Sequence, residues 1–177
     1  PNSYSITSQW TFRDESGYKK LEALLSDAGG NLSIQTANKV FLPLFSSNDK
    51  INDFIITQEQ RDSYSFEEDK IVSEVSSYQV AYLVTEQGAY WRLDPFPTLL
   101  YQSNISRNIL KIYDWAGTRY LFTYINNDIY PDIGAVFRDA GNDLILLLQL
   151  PNPASKTTSV GLFDDKLYFG LENGELW

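Results

Sequence analysis

Cysteine, methionine and histidine are all missing from these 177 residues. Their absence removes the disulfide, the thiolate nucleophile, the Cys/His zinc site and the imidazole base at one stroke. A Ser–His–Asp triad cannot be completed, and no Gly-x-Ser-x-Gly elbow occurs. No glycine-rich loop leads into Lys-Ser/Thr, so the usual phosphate cradle is missing too. Long hydrophobic runs are equally scarce. The longest, Leu144 to Leu148, is a strand's worth, against the roughly 18 to 20 apolar residues a membrane-spanning helix needs.

Positive charge is the next shortage. Fourteen Lys and Arg stand against 23 Asp and Glu, a formal net charge of -9. Such a field repels phosphate backbones and anionic lipid headgroups, so neither nucleic acid nor membrane insertion is expected. No signal peptide or basic targeting tail lies within these 177 residues, and one removed in processing would leave no trace here. Because Pro1 stands first and no methionine remains, the chain reads as processed or excised. Gly174-Glu175-Leu176-Trp177, a strand still in progress, leads to the expectation of a fragment of a longer chain.

What is present describes an ordinary core-forming fold: 43% hydrophobic and 21% charged residues, a size for one domain without staples. From Tyr78 onward the sequence is a succession of hairpin signals. Gln79–Val84 turns at Glu86-Gln87-Gly88 into Ala89–Leu93, and Asn108–Tyr113 turns at Asp114–Thr118 into Arg119–Ile125. Ile133–Phe137 and Leu144–Leu150 flank Asp139–Asp143, and Ser159–Phe163 turns at Asp164-Asp165 into Lys166–Leu171. Glu172-Asn173-Gly174 then signals one more tight turn toward Trp177.

Residues 1–77 are less regular. Ser3–Phe12, Asn31–Gln35, Val40–Phe45 and Phe54–Thr57 read as strands. Leu21, Leu24, Leu25 and Ala28 recur at helical spacing between a Ser16 cap and a Gly29-Gly30 stop. Ser65-Phe66-Glu67-Glu68 matches a capping box ahead of Ile71, Val72 and Val75. Asp94-Pro95-Phe96-Pro97 and Pro151-Asn152-Pro153 read as rigid connections. The expectation is a single β-rich domain over 1–177: an antiparallel hairpin meander, arranged as propeller-like blades, a barrel or a sandwich, with one or two short helices in the N-terminal half.

The segment Val160-Gly161-Leu162-Phe163-Asp164-Asp165-Lys166-Leu167-Tyr168-Phe169-Gly170-Leu171-Glu172-Asn173-Gly174-Glu175-Leu176-Trp177 resembles one unit of a β-propeller repeat. The resemblance extends at most over residues 78–177 and lacks the Gly-His and Trp-Asp dipeptides of the best-known propeller class. It implies blade-like sheets. It transfers no site residue.

Aromatic residues make up 15% of the chain, including 12 Tyr and 4 Trp. Each buried phenol needs a polar partner, so some tyrosines are expected at the surface. Two clusters combine rings with polar groups: Tyr90, Trp91, Arg92 and Asp94, and Tyr113, Asp114, Trp115, Arg119 and Tyr120. Rings that stack on sugar C–H faces beside carboxylates that bind hydroxyls suit carbohydrate, and the same residue types dominate protein interfaces. The plainer alternative is that alternate members fill the core.

The first functional expectation is therefore a non-catalytic binding or adhesion module on a cell surface or virion, with carbohydrate as the first ligand to test. The second is a structural or assembly domain joined to other chains, and the third a glycoside hydrolase working through carboxylates alone. For that third reading the turn residues Asp114, Asp132, Asp139, Asp143, Asp164 and Asp165 are candidates, although aspartate is also the expected turn former. No catalytic residue, metal ligand or cofactor is assigned. Calcium is the cation that Asn126-Asn127-Asp128 with Asp132, or Asp139 with Asn142-Asp143, could attract, but neither follows the alternating acidic loop. Asn31-Leu32-Ser33 and Asn104-Ile105-Ser106 match the N-glycosylation pattern.

Overall fold

A computed structural model describes the backbone of residues 2–177 except 6–10, 15–16, 27–30, 37–40, 48, 68–69, 94–96, 106, 131 and 142. Side chains are described from residue 46 onward, outside those gaps and outside 61, 63–74 and 76–79. The described chain is strands and turns. An N-terminal sheet takes β1 (Asn2–Ser5), β2 (Thr11–Asp14), β3 (Gly17–Ser26), β4 (Asn31–Thr36) and β5 (Phe41–Ser46). A second holds β6 (Ile51–Glu67), β7 (Lys70–Thr85), β8 (Ala89–Leu93) and β9 (Pro97–Gln102) in sequence order. A third repeats that order with β10 (Asn108–Trp115), β11 (Thr118–Ile125), β12 (Ile133–Asp139) and β13 (Leu144–Gln149). The fourth pairs β14 (Thr157–Phe163) with β15 (Lys166–Leu171).

Every strand pair is antiparallel. The mainly-β reading therefore stands, and no closed ring forms among the described sheets. No helix occurs among the described residues either. Leu21, Leu24 and Leu25 lie in β3, and Ile71, Val72 and Val75 lie in β7, whose partner β6 contains Ser65 to Glu67. Ser16, Ala28, Gly29-Gly30 and Glu68 lie outside the described residues. A few apolar residues at spacings of three and four also fit a strand once a long ladder is available, and β6 and β7 stay paired from Ile51↔Thr85 to Glu67↔Lys70.

Turn chemistry sets the hairpins. Ala116 and Gly117 take φ of 51° and 78° between the paired residues Trp115 and Thr118. Asp164 and Asp165, at 50° and 54°, do the same between Phe163 and Lys166. Two consecutive left-handed residues give the turn whose twist matches the flanking strands. After Gly174, at φ 89°, the backbone of Trp177 exchanges two hydrogen bonds of 3.0 Å with Phe169, so a short third segment lies along β15.

Two apolar layers join the last three sheets. Between the second and third, Val80, Tyr82, Val84 and Tyr90 meet Ile109, Ile112 and Leu121. Between the third and fourth, Phe122 and Val136 meet Phe169 and Leu171, with Tyr113 and Tyr120 at the margin. The period-two alternation of each strand supplies one row of side chains to each side. Ala81, Leu83 and Leu93 alternate with the first set and are buried as well, so the second sheet is covered on both faces. The first strands of successive sheets lie side by side, β6 with β10 and β10 with β14.

Candidate functional site

Where the second and third sheets meet, polar groups replace apolar ones. Glu59 of β6 accepts from Arg92 Nη2 of β8 at 2.8 Å and from Arg119 Nη1 of β11 at 3.2 Å, and the Tyr82 hydroxyl donates to the same carboxylate. Arg119 Nε donates to Asp139 Oδ2 at 2.9 Å, and the Tyr90 hydroxyl donates to that oxygen at 2.8 Å. The Arg119 guanidinium also lies over the Tyr82 ring, 4.2 Å from its centroid. Two cations and two anions thus make a neutral cluster that ties three strands of the second sheet, β6, β7 and β8, to two of the third, β11 and β12.

Burial makes this cluster demanding. The Asp139 side chain is 3% exposed and that of Arg119 16%. Burial pushes the Asp139 carboxyl up, but the hydrogen bonds from Arg119, the Gly141 amide and Tyr90, with the Arg119 charge, outweigh it and hold the group below its ordinary value. Burial pulls the Arg119 guanidinium down, and Tyr90, Asp139 and Tyr82 more than restore it. The Tyr90 and Tyr82 phenols are pushed up, chiefly by burial and then by the neighbouring carboxylates, with Arg119 opposing. Asp139 and Arg119 therefore stay ionised as a pair, and the two phenols stay neutral. A buried ion pair contributes little net stability, yet losing one partner costs about 3 to 5 kcal/mol because the other charge is stranded.

The nine sequence candidates separate accordingly. Tyr90, Arg92 and Arg119 belong to the cluster just described, with Tyr90 1% exposed. Trp91 points away from Tyr90 along β8, pairs in register with Leu83 and is half-buried. Asp94 lies outside the described residues. Tyr113, Asp114, Trp115 and Tyr120 gather at the β10–β11 hairpin: Tyr113 is opposite Tyr120, the Trp115 and Tyr120 rings are 6.3 Å apart, and Asp114 Oδ1 accepts from the Gly117 amide at 3.1 Å. All four are half-buried. Arg119, opposite Asp114 in the same hairpin, is the member whose side chain reaches the polar cluster.

Several turn side-chain oxygens are engaged locally. Asp132 Oδ1 accepts from Asn126 at 2.9 Å and from Tyr124 at 2.5 Å, Asn127 Oδ1 accepts from the amides of Ile129 and Tyr130, and Asp143 Oδ1 accepts from Leu144. Among the described residues no three acidic groups converge where a cation could sit. Of the turn carboxylates named for a glycosidase, Asp139 is held below its ordinary value rather than raised, as that reaction's acid is. No described helix is long and apolar enough to cross a membrane.

Exposed apolar surface is the feature that residue types did not single out. In β13, Ile145, Leu146, Leu147 and Leu148 are 40%, 52%, 48% and 37% exposed. β13 pairs with β12 alone among the described strands and so is an edge with its outer row of backbone groups unpaired. Phe163 and Leu176 on the last sheet are 74% and 72% exposed. An uninterrupted apolar run in a strand ordinarily signals burial on both faces. Here the run lies on an edge, which only the pairing order reveals.

Comparison with models of protein families, with curated proteins and with solved structures finds no match to the chain.

Proposed function

We propose that this chain is a non-catalytic assembly domain that meets another protein through apolar strand surfaces. The observation that carries the reading is β13, four consecutive exposed aliphatic residues on an unpaired edge in a chain of net charge -9. Natural proteins blunt exposed edges with charge, proline or covering segments, because an open edge takes up a further strand. Leu144 to Gln149 carries neither charge nor proline. Apolar patches of this kind mark interaction sites. β6 and β10, and β10 and β14, lie side by side in an open arrangement of antiparallel sheets that leaves strands such as β13 at the periphery. A cell-surface or virion assembly, the setting expected from the sequence, suits such a domain.

A second reading keeps carbohydrate as the ligand and places it on the β10–β11 hairpin. It is favoured by the half-buried Trp115–Tyr120 ring pair beside Asp114 and not by the first aromatic cluster, whose Tyr90 and Arg92 are engaged internally.

A photoreactive phenylalanine analogue at Leu147, with the same analogue at the exposed turn residue Asp128 as control, tests the first reading in cells that make the protein. Protein adducts at 147 and none at 128 are expected. No adduct at 147, together with glycan-array binding that disappears in Trp115→Ala, would replace assembly by carbohydrate recognition.

A further inference from the structure

Asn173 is the one asparagine in the sequence that precedes a glycine. The dipeptide carries its own chemistry, because glycine has no side chain to shield the backbone nitrogen that follows the asparagine. When Gly174 N attacks Asn173 Cγ, the new N–C bond closes a succinimide ring and the side-chain amide leaves as ammonia, taking up the Gly174 N–H proton. Water then opens the ring to aspartate, or to isoaspartate, whose main chain runs through the former side-chain carbons. Nothing is oxidised or reduced, and water is the only co-reactant.

The turn around this pair occupies both reacting groups. Gly174 N–H donates to the Leu171 carbonyl at 3.0 Å, and Asn173 Oδ1 accepts from the Glu175 amide at 3.1 Å. The first bond holds the proton on the nitrogen that has to attack, and the second fixes the side chain in its turn conformation. Gly174 sits at φ 89°, which lets the chain reverse here. Beyond it the segment is clamped to β15: Leu171 N–H donates to Glu175 O at 2.9 Å, and Phe169 and Trp177 exchange two bonds of 3.0 Å. Phe169 and Leu171 are 7% and 6% exposed and belong to the layer packed on the third sheet, whereas residues 172–177 are exposed. Local opening therefore frees the turn and the segment after it while β15 stays in place.

We infer that Asn173–Gly174 is a deamidation site gated by its own turn: the closed turn withholds the attacking nitrogen, opening of the 174–177 segment releases it, and the isoaspartate that forms keeps the segment from closing again. Isoaspartate lengthens the main chain between residues 173 and 174, so Leu171 and Glu175 lose their register. It also moves the Oδ1 acceptor and adds a negative charge to a chain already at -9. The site is independent of the assembly reading and of the β13 edge.

Peptide mapping of the whole chain, incubated at mildly alkaline pH in buffer and in concentrated urea, tests it, with isoaspartate scored by enzymatic methylation. In urea Asn173 is expected to convert at least tenfold faster than any other asparagine, and in buffer at least tenfold more slowly than in urea. Glu175→Pro, shown by circular dichroism to be folded, removes the amide that Asn173 Oδ1 accepts from and leaves Asn-Gly intact. It should speed conversion in buffer at least threefold. In hydrogen–deuterium exchange the purified isoaspartate form should lose protection at the Phe169 and Leu171 amides at least tenfold, while Asn173→Gln stays unmodified. Equal rates in buffer and urea, no acceleration in Glu175→Pro, or an isoaspartate form with unchanged exchange at both amides would each overturn the inference.

Discussion

Arg119 is the residue on which the junction of the second and third sheets turns, because it neutralises Glu59 and Asp139 at once. The consequence is a dependence on pH with a definite sign. Asp139 is held below the ordinary carboxylate value when folded, and in the unfolded chain it titrates near 3.9. It therefore lends stability that is fully present above about pH 4 and is lost as pH falls through its lowered folded value. Asp53 acts in the opposite direction: burial raises its carboxyl, with Lys111 and backbone amides only partly compensating, so acid relieves a penalty there. In urea unfolding at pH 7, 4 and 3, wild type should lose stability steeply below pH 4. Asp139→Asn should start less stable and show a flatter acid limb; equal slopes for the two proteins would contradict this role. None of this was legible in the sequence, since Arg119 is 60 residues from Glu59 and 20 from Asp139. The aromatic clusters were visible as composition, but only the fold separates a Tyr90 sealed in the core from a Trp115 at a hairpin.

Turns and edges are the elements the sequence declares most clearly, because φ-positive positions demand particular residues. Gly88 and Gly117 both occupy such positions, at φ 83° and 78°, yet their surroundings differ. A Cβ at Gly88 would come within 2.1 Å of the Arg107 carbonyl oxygen and 2.7 Å of Ser103 Cβ, whereas at Gly117 nothing lies within 4 Å. Gly117→Ala should cost about 1 to 2 kcal/mol, the ordinary penalty of left-handed backbone. Gly88→Ala should cost distinctly more, because the backbone of the 103–107 segment must move; similar losses in thermal or urea unfolding would refute the distinction. β9 was hidden for an equally local reason. Pro97 reads as part of a rigid connection, yet a proline is tolerated as the first residue of an edge strand, which is its place in β9. The two helical expectations failed where strands β3 and β7 carry apolar residues at spacings that serve either period, and pairing with β4 and β6 decided between them.

For the whole molecule, hairpin succession from Tyr78 onward dictates the antiparallel character, while sheet membership and stacking are set by contacts between distant segments. Local turn chemistry dictates which strands pair; which faces meet depends on how separate sheets bury their apolar rows. The same limit applies to function. Leu144 to Leu148 is conspicuous in the sequence as an apolar run, but its meaning reverses once β13 is seen to be an edge. The missing cysteine, methionine and histidine leave carboxylates, amides and rings, and the described carboxylates of the polar cluster hold sheets together. Apolar strand surface faces solvent in β13 and at Phe163 and Leu176 of the last sheet. Hydrogen–deuterium exchange of the amides of β13 and β14–β15, compared in the absence and presence of the proteins captured at Leu147, tests that account most directly. Slower exchange on at least one of these surfaces in their presence, with unchanged exchange at the Gly117 hairpin, is the predicted result; identical exchange on both would contradict it.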